Sequence, residues 1–510
     1  MAVARVLIVG AGPTGLVLAL ELAARGVPFR IIEKNSGPGQ ASRALVVHAR
    51  TLEFYRQLGF ADEVVEQAVE LNCIHIREGG KEAGAFVLKG MGEGLSPFPF
   101  ALCFAQDDHE RFLVAKLKAF GIEVEWGVEL SDFSQTESRV LAVLQTAIGA
   151  ESLQVAYLCG CDGAHSRVRE TLALGFPGGT YSRRFFVADV KIGGVSPVDV
   201  FINLGPDSFL LMIPVRSSGM ERLVGVIPKQ VAGRDDLTFE DVRVSSETVL
   251  GLHIDEVNWF SSYHVHHRVA ANFRVGRCFL SGDAAHIHSP VGGQGMNTGI
   301  GDAVNLAWKL AGVLNGNASE AMLDTYEVER IAFARKLVAT TDKAFQAIVR
   351  QGSAGRLFRT WLLPNILVFL TGFASVRKAM FRTVSQIRIN YRQSALSEGR
   401  AGRVQGGDRL PWVQSDQGDN FTPLASLRWQ VHVYGETNPN FGRELAALHL
   451  PLHRFPHDRP AESAGLQRNA VYLVRPDGHV ALALPEQNID LLKQFAGRFG
   501  LKFPAVRTGV

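Results

Sequence analysis

Cysteine and long apolar segments are scarce in this chain, and neither sign of charge dominates. Only five of the 510 residues are cysteine, which favours free thiols in a reducing compartment over a disulfide framework. The most apolar segment, Trp361–Phe373, is too short to span a bilayer and contains a proline. A net charge of +3 with scattered lysine and arginine argues against nucleic-acid binding. The absence of these features predicts a cytoplasmic protein without nucleic-acid or membrane partners.

The length and composition indicate a globular protein with more than one domain. A chain of 510 residues is too long for a single hydrophobic core. Its 46% hydrophobic and 20% charged residues are ordinary values for a globular protein. The first apolar strand begins within a few residues of Met1, which predicts that no signal peptide precedes it. We therefore expect two or three domains.

Residues 6–33 contain a dinucleotide-binding pattern. The apolar run Val6–Val9 predicts a buried strand, and Gly10, Gly12 and Gly15 follow it as G-x-G-x-x-G at the start of a helix. A second apolar strand ends at Glu33, roughly 20 residues beyond the glycines, where a carboxylate reaches a ribose 2′-hydroxyl. Because Glu33 would repel a 2′-phosphate, the pattern predicts FAD or NAD at this position rather than NADP.

A second glycine-rich segment occupies residues 282–310, GDAAHIHSPVGGQGMNTGIGDAVNLAWKL. It follows an apolar strand end at Leu280 and leads into a helix whose apolar residues recur at i, i+3 and i+4. Glycines allow backbone N–H groups to approach a ligand closely, and a helix N-terminus adds partial positive charge. For the glycines alone, a strand–helix turn without a ligand is an equal alternative.

A third segment, CDGAHSRVR at residues 161–169, completes a pattern of three motifs. In this order and spacing, G-x-G-x-x-G, Asp162-Gly163 and Gly282-Asp283 resemble the fingerprints of the class A flavoprotein monooxygenases. That family includes para-hydroxybenzoate hydroxylase and phenol hydroxylase. The sequences of residues 42–60 and 276–286 are similar to those of the family branch that acts on phenols, polyketide aromatics and rifamycin-type compounds. The resemblance covers residues 1–345.

The resemblance implies an α/β fold with three domains. Residues 1–72, 100–178 and 265–345 would form a discontinuous Rossmann-like FAD-binding domain, and residues 73–99 and 179–264 an antiparallel-sheet substrate domain. Residues 346–400 would form a helical connection. The residues themselves indicate helix over 319–395, with Tyr326–Arg330 packing back on the flavin domain, and a linker marked by Gly402, Gly406, Gly407 and Pro411. Residues 401–510 would form a thioredoxin-like domain without C-x-x-C, suited to packing or oligomerisation, and a homodimer is compatible with this role.

The resemblance also implies which residues bind FAD. The loop and helix of the first motif would hold the pyrophosphate, with an arginine neutralising its charge, and the helix of the glycine-rich segment would face the flavin N1–C2=O edge. Asp162, with Arg167, would also bridge the nucleotide and substrate domains. The expected cofactor-binding residues are Gly10, Gly12, Thr14, Gly15, Glu33, Lys34, Arg43, Gln106, Leu130, Asp162, Asp283, Gly295, Met296 and Asn297.

The family reaction consumes NADH or NADPH and O2. The reduced flavin forms a C4a-hydroperoxide that hydroxylates an aromatic substrate, either phenolic or polycyclic. Pro290 is expected over the flavin beside the substrate, with His48 and Arg50 as catalytic candidates. Asp189, Asn203 and Tyr263 are further candidates to bind the substrate hydroxyl, and Phe201, Phe209 and Met212 are candidates to line its pocket, with sheet core as the alternative.

Other classes of flavoprotein would carry sequence motifs of their own. A flavin halogenase would show W-x-W-x-I-P, which none of the six tryptophans matches, and a disulfide reductase would need a second G-x-G-x-x-G and a C-x-x-C. Closely spaced histidines at His264, His266 and His267, and at His286 and His288, lack a completing cysteine or carboxylate set, so no metal site is expected. Another FAD-binding oxidoreductase, such as an oxidase or a Baeyer–Villiger-like enzyme, and a non-catalytic flavin-binding protein remain open alternatives.

Overall fold

The structure is a computed structural model that describes residues 4–39, 44–78, 80–194, 198–204, 209–216, 218–349, 366, 370–416 and 418–505. It is a mixed α/β fold with several separate sheets. The strands, in chain order, are β1 Val6–Val9, β2 Phe29–Glu33, β3 Val46–Val47, β4 Val69–Glu70, β5 Cys73–Glu78, β6 Lys81–Val87, β7 Leu102–Cys103, β8 Glu125–Trp126, β9 Glu129–Gln135, β10 Val140–Thr146, β11 Gly149–Val155, β12 Tyr157–Gly160, β13 Gly178–Lys191, β14 Asp199–Leu204, β15 Phe209–Val215, β16 Met220–Val226, β17 Glu256–Val269, β18 Arg274–Val275, β19 Cys278–Leu280, β20 His286–Ile287, β21 Glu398–Ala401, β22 Val404–Gln405, β23 Gln414–Ser415, β24 Gly418–Asp419, β25 Gln430–Tyr434, β26 Leu452–Phe455, β27 Val471–Val474 and β28 Val480–Leu484.

The helices alternate with strands in the first part of the chain. They are α1 Pro13–Ala24, α2 Ala49–Gln57, α3 Ala61–Gln67, α4 Gln106–Ala119, α5 Arg167–Thr171, α6 Glu240–Leu250, α7 Gln294–Leu314, α8 Ala321–Val349, α9 Ala374–Val384, α10 Pro439–Ala447, α11 Arg459–Ala464 and α12 Ile489–Arg498. Within the described residues, none of these helices has the length and apolar character needed to cross a membrane.

The first sheet has the strand order β18-β19-β12-β1-β2-β8. Strand β1 pairs in parallel with β2 on one side and β12 on the other, and β12 pairs in parallel with β19. All four residues of β1 and of β12 are buried, as expected for parallel strands covered on both faces. The strand and helix predicted around the G-x-G-x-x-G motif are therefore confirmed. The strands that follow β1 in the chain lie first on one side of it and then on the other, and ligands of open α/β sheets bind at such a reversal of strand order.

The second sheet joins two distant parts of the chain in the order β20-β17-β13-β16-β15-β14-β5-β6. Its strands pair antiparallel except for β14 with β5. Phe201 and Met212 lie in the hydrophobic core between this sheet and α6, so the sheet-core alternative is correct for them. The sequence Gly205-Pro206-Asp207, which predicts a turn between two of these strands, lies outside the described residues.

The third large sheet belongs to the C-terminal part, in the order β22-β21-β28-β27-β25-β26. Strands β25 and β27 pair antiparallel within it. The linker prediction is wrong, because β21 and β22 form a hairpin within this sheet. A Cβ on Gly406 would lie only 2.2 Å from the backbone nitrogen of Glu398, so this glycine serves close packing.

The prediction that residues 319–395 are helical is confirmed only in part. Helices α8 and α9 lie in this range, but residues 385–397 form turns, and Asn390 makes an isolated bridge with Asp408. Residues 350–365, with most of the apolar segment 361–373, lie outside the described residues. Tyr326 of α8 packs on the first sheet as expected, with its hydroxyl donating to the Leu280 carbonyl at 2.7 Å. All five cysteines are free and buried.

Candidate functional site

The three sequence motifs meet at one edge of the first sheet. Strands β1, β12 and β19 are adjacent and parallel, so the segments that follow them leave the sheet side by side. The Cys161 N–H donates to the Val9 carbonyl at 2.8 Å, and the Ser281 N–H donates to the Gly160 carbonyl at 2.9 Å. Gly10 has φ +102, and a Cβ there would lie 2.4 Å from the Cys161 carbonyl oxygen. Glycine is therefore required where the first two motifs touch.

Helices α1 and α7 begin at this same edge, in close contact. A Cβ on Gly299 of α7 would lie 2.3 Å from Oγ1 of Thr14 in α1. Neither helix carries an acidic residue in its first turn or a side-chain cap at its N-terminus. The first N–H groups of a helix have no partner within that helix, and a Cβ on Gly12 would meet nothing within 4 Å. The N-terminus of α1 at Gly12 is therefore an open cradle that fits an anionic group, and the uncapped N-terminus of α7 lies at the same sheet edge.

Glu33 lies beside the first glycine loop, as its spacing predicts. Its Oε2 accepts a hydrogen bond from the Ala11 N–H at 3.0 Å, and its Oε1 accepts from the Asn35 N–H at 3.1 Å. Lys34 is exposed next to it, and Leu130 lies in β9, where its side chain is buried and its backbone is opposite Leu144 of β10. The carboxylate is fixed where a ribose bound at the loop would reach it.

Gln106, at the start of α4, lies near residue 44 on the opposite side of the loop. Its Oε1 accepts from the Ala44 N–H at 3.2 Å, and its Nε2 donates to Glu110 Oε1 at 2.8 Å. Glu110 accepts from the Gly39 N–H at 2.9 Å, and burial raises the pKa of its carboxyl group. These contacts hold both ends of the segment that contains Arg43, which itself lies outside the described residues.

Asp162 accepts hydrogen bonds at the N-terminus of α5, where Ser166 is the N-cap residue. Its carboxylate accepts from Ser166 Oγ at 2.6 Å and from the Val168 N–H at 3.0 Å, and burial raises its pKa. The expected bridge from Arg167 to the substrate sheet is wrong, because its guanidinium donates to the Ser131 carbonyl of β9 at 2.7 Å. Arg169 instead connects the Asp162-Gly163 and Gly282-Asp283 motifs, because it donates a hydrogen bond to the Ala284 carbonyl at 3.0 Å.

The Gly282-Asp283 motif is held by a carboxylate that sequence reasoning missed. Asp283 is exposed in a 3-10 turn, whereas Asp302 is fully buried. Asp302 accepts from the Gly282 N–H at 3.0 Å and contacts His286 Nε2 and Arg330 Nε at 2.6 Å each. Burial alone would raise the pKa of Asp302, but Arg330 and His286 outweigh it and lower the pKa. An acidic residue beside the buried apolar stripe of α7 was the only sign of it in the sequence.

His48 and Asn297 connect the N-terminal end of α7 to α2. Asn297 Oδ1 accepts from the His48 N–H at 2.9 Å and from Thr51 Oγ1 at 2.8 Å. His48 Nε2 lies 2.9 Å from the Gly292 carbonyl, and since a carbonyl only accepts, Nε2 carries the proton. Burial lowers the pKa of His48 to about 4. Pro290 is exposed at the start of the same turn, beside Gly295 and Met296 in the first turn of α7.

The other candidates have partners within the protein. Arg50 is buried against the C-terminal part, where it donates to Glu53 Oε2 at 2.8 Å and to the Asp477 carbonyl at 2.6 Å. Asp189 forms a two-bond ion pair with Arg222, at 2.6 and 2.7 Å. These hydrogen bonds and ion pairs give both side chains a structural role. Among the described residues, no three His, Cys, Asp or Glu side chains are grouped to hold a metal ion.

Comparison with known proteins agrees with this geometry. The profile of the FAD binding domain family matches residues 3–341. The chain belongs to this family. It is 32% identical to 6-methylpretetramide 4-monooxygenase of Streptomyces rimosus over 94% of this chain and 90% of that one. It is 33% identical to pentachlorophenol 4-monooxygenase of Sphingobium chlorophenolicum over 80% and 75% of the two chains.

A solved structure extends the likeness to the whole fold. The chain resembles CabE, an aromatic hydroxylase from angucycline biosynthesis, with a TM-score of 0.80 and 27% identity, covering 98% of this chain and 100% of that one. The cofactor of this flavoprotein is FAD. The open cradle at Gly12, the two uncapped helix ends and the fixed Glu33 carboxylate fit its pyrophosphate, flavin and ribose.

Proposed function

We propose that this flavoprotein is a monooxygenase that hydroxylates a phenolic or polycyclic aromatic substrate, with NADH or NADPH and O2 as co-substrates. One observation carries the proposal: the three family motifs and the N-terminal end of α7 meet at a single sheet edge, next to the eight-stranded sheet. When bound, FAD supplies the redox chemistry. The protein positions FAD and the substrate and excludes water from the reacting atoms.

The residues at the sheet edge divide the binding of FAD among them. The loop of Gly10, Gly12 and Gly15, with the N-terminus of α1, would hold the pyrophosphate, and Glu33 would hold the adenosine ribose. Asp283 would accept hydrogen bonds from the ribityl chain. The first N–H groups of α7 would be donors to the flavin, and the partial positive charge of this helix end would favour negative charge on it.

The substrate class is inferred from the relatives. Two of them are named for 6-methylpretetramide and pentachlorophenol, and both names describe oxygenated aromatic compounds. The eight-stranded sheet supplies a platform adjacent to α7, because its edge strand β20 leads directly into the segment before that helix. We place the aromatic ring between this sheet and the flavin, beside Pro290.

Finer features belong to the same proposal. The C-terminal sheet with its helices supports a thioredoxin-like packing domain, and the contact of Arg50 with the Asp477 carbonyl supports a structural rather than redox role for it. The domain bounds, the homodimer and the cytoplasmic location stay predictions.

Anaerobic stopped-flow reduction followed by oxygenation tests the proposal. Purified holoenzyme is mixed with NADH or NADPH in the presence and absence of a panel of phenols, naphthols and hydroxyanthraquinones. We expect at least one aromatic compound to accelerate flavin reduction and to yield a hydroxylated product after O2 is admitted. Stoichiometric H2O2 without product would indicate an oxidase, oxygen insertion into a ketone would indicate a Baeyer–Villiger-like enzyme, and no reduction by either nucleotide would indicate a non-catalytic flavoprotein.

A further inference from the structure

His288 lies at the border between helix α7 and the eight-stranded sheet. It directly follows β20, which pairs with β17 at the edge of that sheet, and it precedes Pro290 and α7. A Cβ on Gly295 would lie 3.8 Å from both Cε1 and Nε2 of this histidine. The imidazole edge that carries Nε2 therefore lies over the first turn of α7.

The hydrogen bond of the other ring nitrogen fixes the tautomer of His288. Nδ1 lies 2.8 Å from the Ser289 carbonyl oxygen. Because a carbonyl can only accept, Nδ1 carries the proton, and Nε2 of the neutral ring is an acceptor. Burial lowers the pKa of His288 to about 4, with His286 as a further lowering influence. The ring is therefore neutral at the pH of the cell.

Nε2 of His288 is an acceptor without a donor. It is buried, and no hydrogen-bond partner for it exists in the part of the chain that the structure describes. Buried polar atoms are almost always paired, since an unpaired one loses its hydrogen bonds to water without compensation. The missing donor is therefore sought in a molecule that binds at this border.

We propose that Nε2 of His288 accepts a hydrogen bond from a hydroxyl group of the aromatic substrate. The inference rests on the proposed function, and it makes His288 a catalytic residue that selects hydroxylated rings. A ring whose hydroxyl proton is drawn toward an acceptor is more electron-rich and reacts more readily with electrophilic oxygen. The weak basicity of the buried imidazole leaves the proton on the substrate oxygen, so the interaction is a hydrogen bond without proton transfer.

Binding of matched ligand pairs to the oxidised holoenzyme tests this assignment. The pairs are phenol and anisole, 1-naphthol and 1-methoxynaphthalene, and 2-hydroxyanthraquinone and its methyl ether, each titrated by the change in the flavin absorption spectrum. The methyl ethers keep the ring but lack the O–H donor. For at least one pair, we expect the hydroxyl compound to bind roughly 5-fold to 150-fold more tightly than the ether, as for a buried acceptor left unpaired.

Three variants separate His288 from the rest of the site. In His288→Leu the preference for the hydroxyl compound should disappear, and in His288→Gln it should return in part, because the amide oxygen is an acceptor of similar reach. His253→Leu is the control, since His253 is an exposed histidine with 76% of its side chain accessible, and it should keep the full preference. FAD content and the thermal unfolding midpoint are measured for every variant.

The outcomes distinguish the inference from the proposed function. If the hydroxyl compounds bind but His288→Leu retains the preference, the inference about His288 is wrong and the monooxygenase proposal stands. If both His288 variants lose FAD while the control retains it, Nε2 serves the cofactor and the inference is again wrong. If no ligand of the panel perturbs the flavin of the wild-type protein, the proposed substrate class fails, and the inference fails with it.

Discussion

Two aspartates at the Gly282-Asp283 motif, Asp283 and Asp302, have different roles. Asp302 is fully buried and contacts a backbone N–H, a histidine and an arginine, whereas Asp283 is exposed. The sequence predicted the exposed residue, because its place in a known motif was visible. Its buried partner could not be predicted, because the pairing of Asp302 with Arg330 exists only after α7 and α8 pack together.

Replacing each of these aspartates should give opposite results. Asp302→Asn leaves the buried Arg330 charge without its partner, so we expect a loss of about 3–5 kcal/mol in the free energy of unfolding. Asp283→Ala should change that free energy by less than about 0.5 kcal/mol but weaken FAD retention. Urea unfolding and FAD titration of the apoprotein measure the two quantities. Unchanged FAD affinity in Asp283→Ala would remove the ribityl contact assigned to it.

At the scale of elements, the close approach of α1 and α7 determines the shape of the site where we propose that FAD binds. The sequence predicted both helices well, because their apolar periodicity and flanking glycines are local signals, and α7 begins at Gln294. It failed for the hairpin of β21 and β22, which looked like a linker. Besides its local partner β22, strand β21 pairs with β28, roughly 80 residues further along the chain, so no local pattern could reveal that the hairpin belongs to a larger sheet.

Gly299→Ala should disrupt the crossing of these helices. The added methyl group would lie 2.3 Å from Thr14 Oγ1 and 3.1 Å from the Gly282 Cα, so the helices must separate and the FAD cradle must widen. We expect weaker FAD binding, measured by fluorescence quenching with apoprotein. Gly312→Ala is the matched control in the same helix, since its Cβ would meet only ordinary contacts from 3.5 Å outward. Equal affinity in the two variants would contradict the assigned packing.

At the scale of the whole molecule, buried ion pairs join the flavin-binding part to the C-terminal part. Glu329 of α8 accepts from Arg475 at 2.8 and 2.9 Å and from Lys309 at 2.8 Å. Glu53 of α2 accepts from Arg409 Nε at 2.9 Å. The partners are separated by up to 356 residues in sequence, which places these pairs beyond the reach of motif reasoning. The two parts should therefore unfold together.

The same pairs predict how stability depends on acid. Burial alone would raise the pKa of Glu53 and Glu329, but Arg409 and Arg475 respectively outweigh it and lower both to about 2. Since the unfolded value is about 4.3, the stabilisation is complete above that pH and is lost as the pH falls toward 2. Each carboxylate accounts for on the order of 3 kcal/mol. Urea unfolding from about pH 6 to about pH 3 should show the fall. Glu329→Gln should flatten it, whereas Glu444→Gln, at an exposed pair with Lys493, should not.

Arg475→Leu should separate the unfolding of the two parts. The substitution leaves Glu329 and Asp477 buried without their shared guanidinium, and breaking such a buried pair costs about 3–5 kcal/mol. Differential scanning calorimetry should show one transition in the wild-type holoenzyme and two in the variant, with FAD released in only one of them. The control is Arg498→Leu, which removes an exposed arginine that pairs with Glu398 in the same C-terminal part. Exposed pairs contribute about 0–1 kcal/mol, so the control should keep a single transition. Two transitions already present in the wild-type protein would show that the buried pairs do not couple the parts.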